Sequence, residues 1–297
     1  MTVSRGGDSP QLISRFYIMF GHIKVRMRAA PGRGIVSSLV LQSDTLDEID
    51  FEWLGADPTE VQSNYFGKGD TSSYTRGAFH QTPENQQNFV DYDIDWTPEQ
   101  IVWSINGEPV RVLTPETAEA NKYPQTPMQV KFGAWSGGDP ANPEGTINWA
   151  KGPTDYSQGP FNMIVESIEV SDYSTGSAYR YTDNSGNVGG IEAVNGAVGG
   201  NRGETPVVVV PTEVQSASNS VTSGPIIPPG IGYTADPSGQ DSQPPMNGSN
   251  GLGRGVPMPS VAGVPEGWVV TSTGKIVPIS DAVLGKSCSM SHLHCYS

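Results

Sequence analysis

Cysteine is almost absent: the 297 residues contain two, Cys288 and Cys295, both at the C-terminal end. The body of the chain therefore has no disulfide framework and must be held by a packed core. His292 and His294 lie between those cysteines, but the spacing matches no usual zinc pattern, so neither a metal site nor a cofactor is expected. Long apolar runs are also missing, which excludes a membrane-spanning helix. The segment Met1-Thr2-Val3-Ser4-Arg5-Gly6-Gly7 lacks the apolar centre of a signal peptide, so taken alone this chain reads as one that stays in the cytoplasm. Basic residues are scarce, 17 Lys and Arg against 31 Asp and Glu, for a net charge of −14. That balance argues against nucleic acid, whose affinity comes largely from cations neutralising phosphate, and points to a neutral or cationic ligand. Helix signals are few as well; only residues 115–122 look helical.

Short apolar or alternating runs broken by turn residues fill the chain from Leu12 to Tyr173. They include residues 22–27, 35–41, 48–54, 91–95, 100–105, 109–112, 128–132 and 163–170. This spacing predicts an all-β fold, an antiparallel β-sandwich. Ile101-Val102-Trp103-Ser104-Ile105 and Pro109-Val110-Arg111-Val112-Leu113, joined through Asn106-Gly107-Glu108, form the clearest hairpin, because Asn-Gly accepts the positive φ angles of a tight turn. Of the 36 glycines and 25 prolines, many fall between residues 182 and 264. A polar stretch of that kind cannot bury enough apolar surface to offset ordering entropy. The expected organisation is a domain over residues 1–181 and a flexible tail over 182–297. Within the tail, Asn247-Gly248-Ser249 is a glycosylation sequon that matters only in a secreted chain, and Gly267 to Val277 regains strand character.

In Asp47-Glu48-Ile49-Asp50-Phe51-Glu52-Trp53-Leu54, three apolar residues alternate with three acids. That is the period of a strand with one buried face, and it lines Glu48, Asp50 and Glu52 along the other face. A helix would scatter Ile49, Phe51 and Trp53, and Gly55 and Pro58 close the segment early. Crowded acids repel one another and raise each other's pKa, so the arrangement costs stability. A solvated edge face or a calcium site would be structural explanations, but the first normally mixes in Lys or Thr and the second Gly and Asn. Glycosidic bond cleavage uses such a set directly, with one ionised carboxylate attacking the anomeric carbon and one protonated carboxyl protonating the departing oxygen. Trp135, set among Gly133, Gly137 and Gly138, can offer a flat face to a sugar ring. Trp53, Trp96, Trp103 and Trp149 read as core or cleft wall, and His22 and His80 as ordinary strand or loop residues.

The segment from Asp47 to Gly55 resembles the signature of glycoside hydrolase family 16, specifically its fungal Crh-type chitin transglycosylases. Gln62-Ser63-Asn64-Tyr65-Phe66-Gly67-Lys68-Gly69, Tyr92-Asp93-Ile94-Asp95-Trp96-Thr97-Pro98-Glu99-Gln100-Ile101, Phe132-Gly133-Ala134-Trp135-Ser136-Gly137-Gly138-Asp139 and Gly145-Thr146-Ile147-Asn148-Trp149-Ala150 resemble that family in order and spacing. The resemblance covers about residues 10–173. It implies a concanavalin-like jelly roll, Glu48 as nucleophile, Glu52 as general acid/base, Asp50 as the residue that tunes the nucleophile, and sugar contacts from Lys131, Trp135 and Thr146. It further implies chitin as donor, β-glucan as acceptor, a monomer, and a place outside the cell or in the cell wall. Family members typically carry early strands, an N-terminal cysteine-bearing region and end signals that this chain does not show, so the domain is expected to lack its N-terminal strands. Plain endo-β-glucanase or chitinase activity, and a catalytically inactive wall-binding lectin, remain the competing functions at this stage.

Overall fold

The computed structural model describes residues 1–201 and two short strands further on. In chain order the strands are β1 (Thr2–Val3), β2 (Gln11–Ile13), β3 (Gly21–Arg28), β4 (Ile35–Ser43), β5 (Glu48–Leu54), β6 (Glu60–Phe66), β7 (Ala78–Gln81), β8 (Val90–Trp96), β9 (Ile101–Ile105), β10 (Glu108–Leu113) and β11 (Met128–Ser136). A short helix α1 (Glu144–Trp149) follows, then β12 (Phe161–Asn162), β13 (Ile164–Asp172), β14 (Ala178–Tyr181) and β15 (Ile191–Val194). Two antiparallel sheets dominate, one ordered β10-β9-β8-β3-β13 and the other β2-β11-β4-β5-β6-β7.

Alternation builds the sandwich. Along β3, Ile23, Val25 and Met27 are buried while His22, Lys24 and Arg26 are half-buried on the outer face. On β5, Ile49, Phe51 and Trp53 join the same core. There Tyr92 of β8 meets Trp53 edge-on at 4.6 Å and Phe51 at 5.6 Å, so the two sheets clasp through aromatic rings. Trp103 of β9 also reaches across, donating its indole N–H to the carbonyl of Asp50 at 3.1 Å. The strand that bears the three acids is thus anchored from behind at its midpoint. The turn between β9 and β10 has the positive φ angles expected of Asn106 (51°) and Gly107 (82°).

Two expectations change. Residues 115–122 form turns, since Ala118 N–H reaches the Thr114 carbonyl but Lys122 N–H reaches only Glu119, and Asn121 at φ 62° ends any helical run. The helix lies instead at α1, entered through Asn142-Pro143 with Glu144 in its first turn. The fold also continues beyond Tyr181. β14 pairs with β15, Ile191 and Ala193 are buried, and Asn201 bonds back to Tyr173 and Asp172. Gly186 and Gly199, read from composition as linker glycines, occupy turn positions at φ 64° and 72°. A second unit, residues 232–297, contains β16 (Trp268–Val270) paired antiparallel with β17 (Ile276–Pro278), at the place where strand character returns in the sequence. The sequon at Asn247 and the Cys288 to Cys295 segment lie outside the described residues. Limited proteolysis should leave a resistant core that retains Ile191–Val194; a stable fragment ending at Tyr181 would show that the β14–β15 hairpin adds nothing to the fold.

Candidate active site

The acidic face of β5 is the middle of a six-stranded surface, and the register shows what surrounds it. Glu48 lies opposite Gln42 on β4 and Phe66 on β6; Asp50 lies opposite Val40 and Asn64; Glu52 lies opposite Ser38 and Gln62. One strand further, Lys131 of β11 sits opposite Val40 and Gly133 opposite Ser38. Lys131 therefore shares the row of Asp50, while Trp135 lies in the row beyond Glu52, opposite Val36 and hence Leu54.

This face is not open to solvent as a plain sheet face would be. Exposure is 1% for Glu48, 2% for Asp50 and 3% for Glu52. Two elements close it in. Trp149 at the end of α1 stacks on Trp135 at 6.1 Å, packs with Val36 and Leu54, and donates its indole N–H to the Gln62 side chain at 3.2 Å. The segment joining β6 to β7 contributes Tyr74, which meets Phe66 edge-on at 6.5 Å and also packs against that Val36, Leu54 and Trp149 cluster. Tyr74 thus bridges from the Glu48 row to the row beyond Glu52.

Enclosure sets the electrostatics. Burial, reinforced by the charge of Glu48, pushes the Glu52 carboxyl from its ordinary 4.5 up to about 8. Glu52 therefore holds its proton at neutral pH. Asp50 is raised well above the usual carboxylate range, first by burial and then by Glu52 and Glu48, and its side chain hydrogen-bonds with Glu48. Glu48 has the support of polar groups: the Gln42 amide donates to its Oε2 at 2.6 Å, and Lys131 Nζ donates to Gln42 Oε1 at 2.6 Å. Gln42 is polarised by the ammonium on one side and bonds the carboxylate on the other. On the core side of the sheet, Arg111 of β10 stacks over Trp103 and Tyr65 and donates to the Ser63 carbonyl and hydroxyl and the Arg76 carbonyl. It has no ion pair with a carboxylate among the described residues, and its charge opposes the upward shift of Asp50. Similar carboxylates on one strand are thus held in different settings, as acid/base chemistry at neutral pH requires.

A model of the glycosyl hydrolases of family 16 matches residues 1–151. The chain belongs to this family. It is 54% identical over 281 residues to Crh-like protein 4 of Botryotinia fuckeliana, a match spanning 94% of this chain and 73% of that protein. Crh-like protein 4 of Aspergillus fumigatus is 44% identical over 301 residues, spanning 98% of this chain and 64% of the other. Among solved structures, Crh5 transglycosylase in complex with NAG is 50% identical with a TM-score of 0.64, covering 65% of this chain and 80% of that one. As a member of family 16 the chain is an enzyme that acts on glycosidic bonds.

Of the six residues singled out in the sequence, the structure groups the three acids with Lys131 and sets Trp135 in the row beyond Glu52, while Thr146 lies within α1. Glu48, Asp50 and Glu52 share one face, Lys131 reaches the cluster through Gln42, and Trp135 is half-exposed with one face covered by Trp149. Thr146 has no accessible surface; it is enclosed within α1, one turn before Ala150, whose N–H it accepts. Sequence reasoning missed Gln42, Gln62, Asn64 and Tyr74. The first three could have been found only by knowing the register, because a polar residue in a half-buried strand gives no local sign of its cross-strand neighbour. Asp47 is also more than a flanking acid: fully buried, it accepts from Lys68 N–H, Gln125 N–H and Thr126 Oγ1 and fixes the start of β5.

The raised pKa has a sign that can be tested. The folded chain holds a proton on Glu52 that the unfolded chain releases above about 4.5, so the stability linked to this group is full below that pH and is lost as pH rises toward 8. Glu52→Gln should therefore gain thermal stability relative to the parent as pH is raised from 4.5 to 8, by on the order of 4 kcal/mol. In Glu48→Gln, carbon-13 NMR should find the Glu52 titration moved downward, because the negative neighbour is gone; an unmoved midpoint would show that Glu48 is not felt.

Proposed function

We propose that this chain is a retaining transglycosylase of the fungal cell wall that cleaves chitin and transfers the released end to β-glucan. The observation that carries the reading is the unequal setting of two acids on one strand: Glu52 protonated near neutrality by burial and by Glu48, and Glu48 held by the Gln42 and Lys131 relay. In this mechanism the Glu48 carboxylate attacks the anomeric carbon while Glu52 gives its proton to the departing oxygen, breaking the glycosidic bond and leaving a glycosyl ester on Glu48. The chain fragment bearing the new hydroxyl leaves. An acceptor hydroxyl then gives its proton to the Glu52 carboxylate and attacks the ester, restoring both groups and retaining configuration. Asp50 hydrogen-bonds the nucleophile and steadies it. Lys131 and Trp135 serve sugar binding directly, and Thr146, enclosed within α1, serves it by holding that helix and so Trp149 in place. Ser38 Oγ, Asn64 Nδ2, Asp50 Oδ1 and Glu52 Oε1 are buried without hydrogen-bond partners among the described residues, which supports a site whose polar atoms are completed by substrate hydroxyls. The identity to Crh-like proteins and the structural likeness to a transglycosylase support transfer as the outcome; the reading places it in the wall as a single chain.

Glu48→Gln should abolish turnover, because an amide cannot form the glycosyl ester. Glu52→Gln should fail with natural donors yet load Glu48 from a donor with a good leaving group, giving an adduct that mass spectrometry finds on the peptide containing Glu48. Asp50→Asn should be intermediate. With chitin oligomers and labelled β-glucan oligosaccharide, labelled hybrid should grow with acceptor concentration as hydrolysis declines. Inverted products or an adduct elsewhere would falsify the double displacement; hydrolysis alone at high acceptor would leave a plain glucanase or chitinase.

A further inference from the structure

Phe79 is one of four large hydrophobic side chains exposed among the described residues, at 40%. Its position is not arbitrary. On β7, the edge strand of the acid-bearing sheet, Phe79 lies opposite Gln62, and Gln62 lies opposite Glu52. Directly opposed residues of antiparallel strands point to the same face, so Phe79 belongs to the row of Glu52, two strand spacings away, about 10 Å. The alternation on β7 agrees: Phe79 and Gln81 are exposed while Ala78 and His80 are half-buried, His80 against Ser63. The Lys151 ammonium lies 5.7 Å from the Phe79 ring centroid, just past α1. Gln62, between Phe79 and the acids, is held by Trp149 and lies so close over Gly77 that a Cβ there would meet its Nε2 at 2.6 Å. One wall therefore runs from Trp135 through Trp149 and Gln62 to Phe79, and the segment carrying Tyr74 covers the stretch beside it. A chain leaving that covered stretch toward β7 emerges over the Phe79 ring.

We infer that Phe79 and Lys151 form a distal sugar subsite at the β7 edge, in which the ring stacks on the C–H face of a pyranose and the ammonium bonds its hydroxyls. The inference rests on the proposed function for its ligand class, a neutral polysaccharide chain, and it adds the residues that read chain length. The ring is 40% exposed with the Lys151 ammonium over it, and its exposed surface is of the kind that stacks on a sugar. A monosaccharide or other short oligomer does not reach this subsite from the acids; a longer chain does.

The test is calorimetric titration of the full chain carrying Glu48→Gln, the parent for this comparison, with chitin oligomers and β-glucan oligomers of increasing length, so that binding is read without turnover. The parent should gain affinity at the length that first reaches β7. In Phe79→Ala that gain should disappear, about a tenfold loss for long oligomers, equivalent to roughly 1.4 kcal/mol. Phe79→Tyr should restore it, and Gln81→Ala, on the same face of the same strand, should keep the parent's length dependence. Loss with chitin oligomers alone assigns the subsite to the donor, loss with β-glucan alone to the acceptor, and either supports the inference. An equal loss at every length, or none in Phe79→Ala, overturns it. If transfer assays fail while the length-dependent loss is seen, the proposed function falls and the subsite stands.

Discussion

Everything in this site depends on the two-residue period of one strand. β5 has a core face of Ile49, Phe51 and Trp53 that closes the sandwich against Tyr92, and the price of that face is that Glu48, Asp50 and Glu52 must stand together on the other. No one-residue slip can relieve the crowding, because a slip would turn the aromatic residues out and the acids into the core. The Trp103 bond to the Asp50 carbonyl fixes the same register from behind. Core packing therefore supplies the free energy that holds three like-charged groups in place, and the acids need not stabilise the position they occupy.

Burial then converts crowding into function. A solvated acidic face would give ordinary carboxylates, since water screens like charges within a few ångströms of the surface. Here Trp149 and Tyr74 come in over the face, and loss of solvent raises Asp50 and Glu52 more than their mutual repulsion does. The compensation is local and specific: Gln42 and Lys131 bond toward Glu48, while Glu52 Oε1 has no hydrogen-bond partner among the described residues. Arg111 approaches from the core side with its other bonds spent on carbonyls and a hydroxyl. The asymmetry among the acids thus comes from neighbours on β4, which precedes β5 in the chain, and on β10 and β11, which lie far from it in sequence.

That division explains what could be read from the sequence. The alternation of β5, the Asn106-Gly107 turn and the all-β character are properties of neighbouring residues in the chain, so they were legible. Gln42 against Glu48, Asn64 against Asp50 and Phe79 in the row of Glu52 are products of strand pairing, and no local pattern encodes them. Composition misled at residues 182–201, where glycines serve turns that let Ile191 and Ala193 reach the core. It misled again at residues 115–122, whose helix-forming residues are overruled by Asn121 and by hydroxyl bonds between Thr114 and Thr117. Lys131 came from family resemblance alone; the structure supplies its physical reason, a bond to the residue that bonds Glu48.

The same electrostatics bear on why a site of this kind can change from acid to base within one cycle. On the proposed roles, ester formation removes the negative charge of Glu48, which is the second cause of the raised Glu52 pKa after burial. At the moment when Glu52 has lost its proton, the repulsion that disfavoured its ionised form is also gone, so the carboxylate is better tolerated while it waits for an acceptor. Breakdown of the ester restores the charge on Glu48 and with it the pressure on Glu52 to take up a proton from the attacking hydroxyl. The two groups drive each other without any other residue changing its protonation. What the pair does not choose is the acceptor: water and a sugar hydroxyl offer the same proton. That choice must lie with the surfaces that enclose the ester, and in this chain those are Tyr74, Trp149 and the wall that runs out to β7.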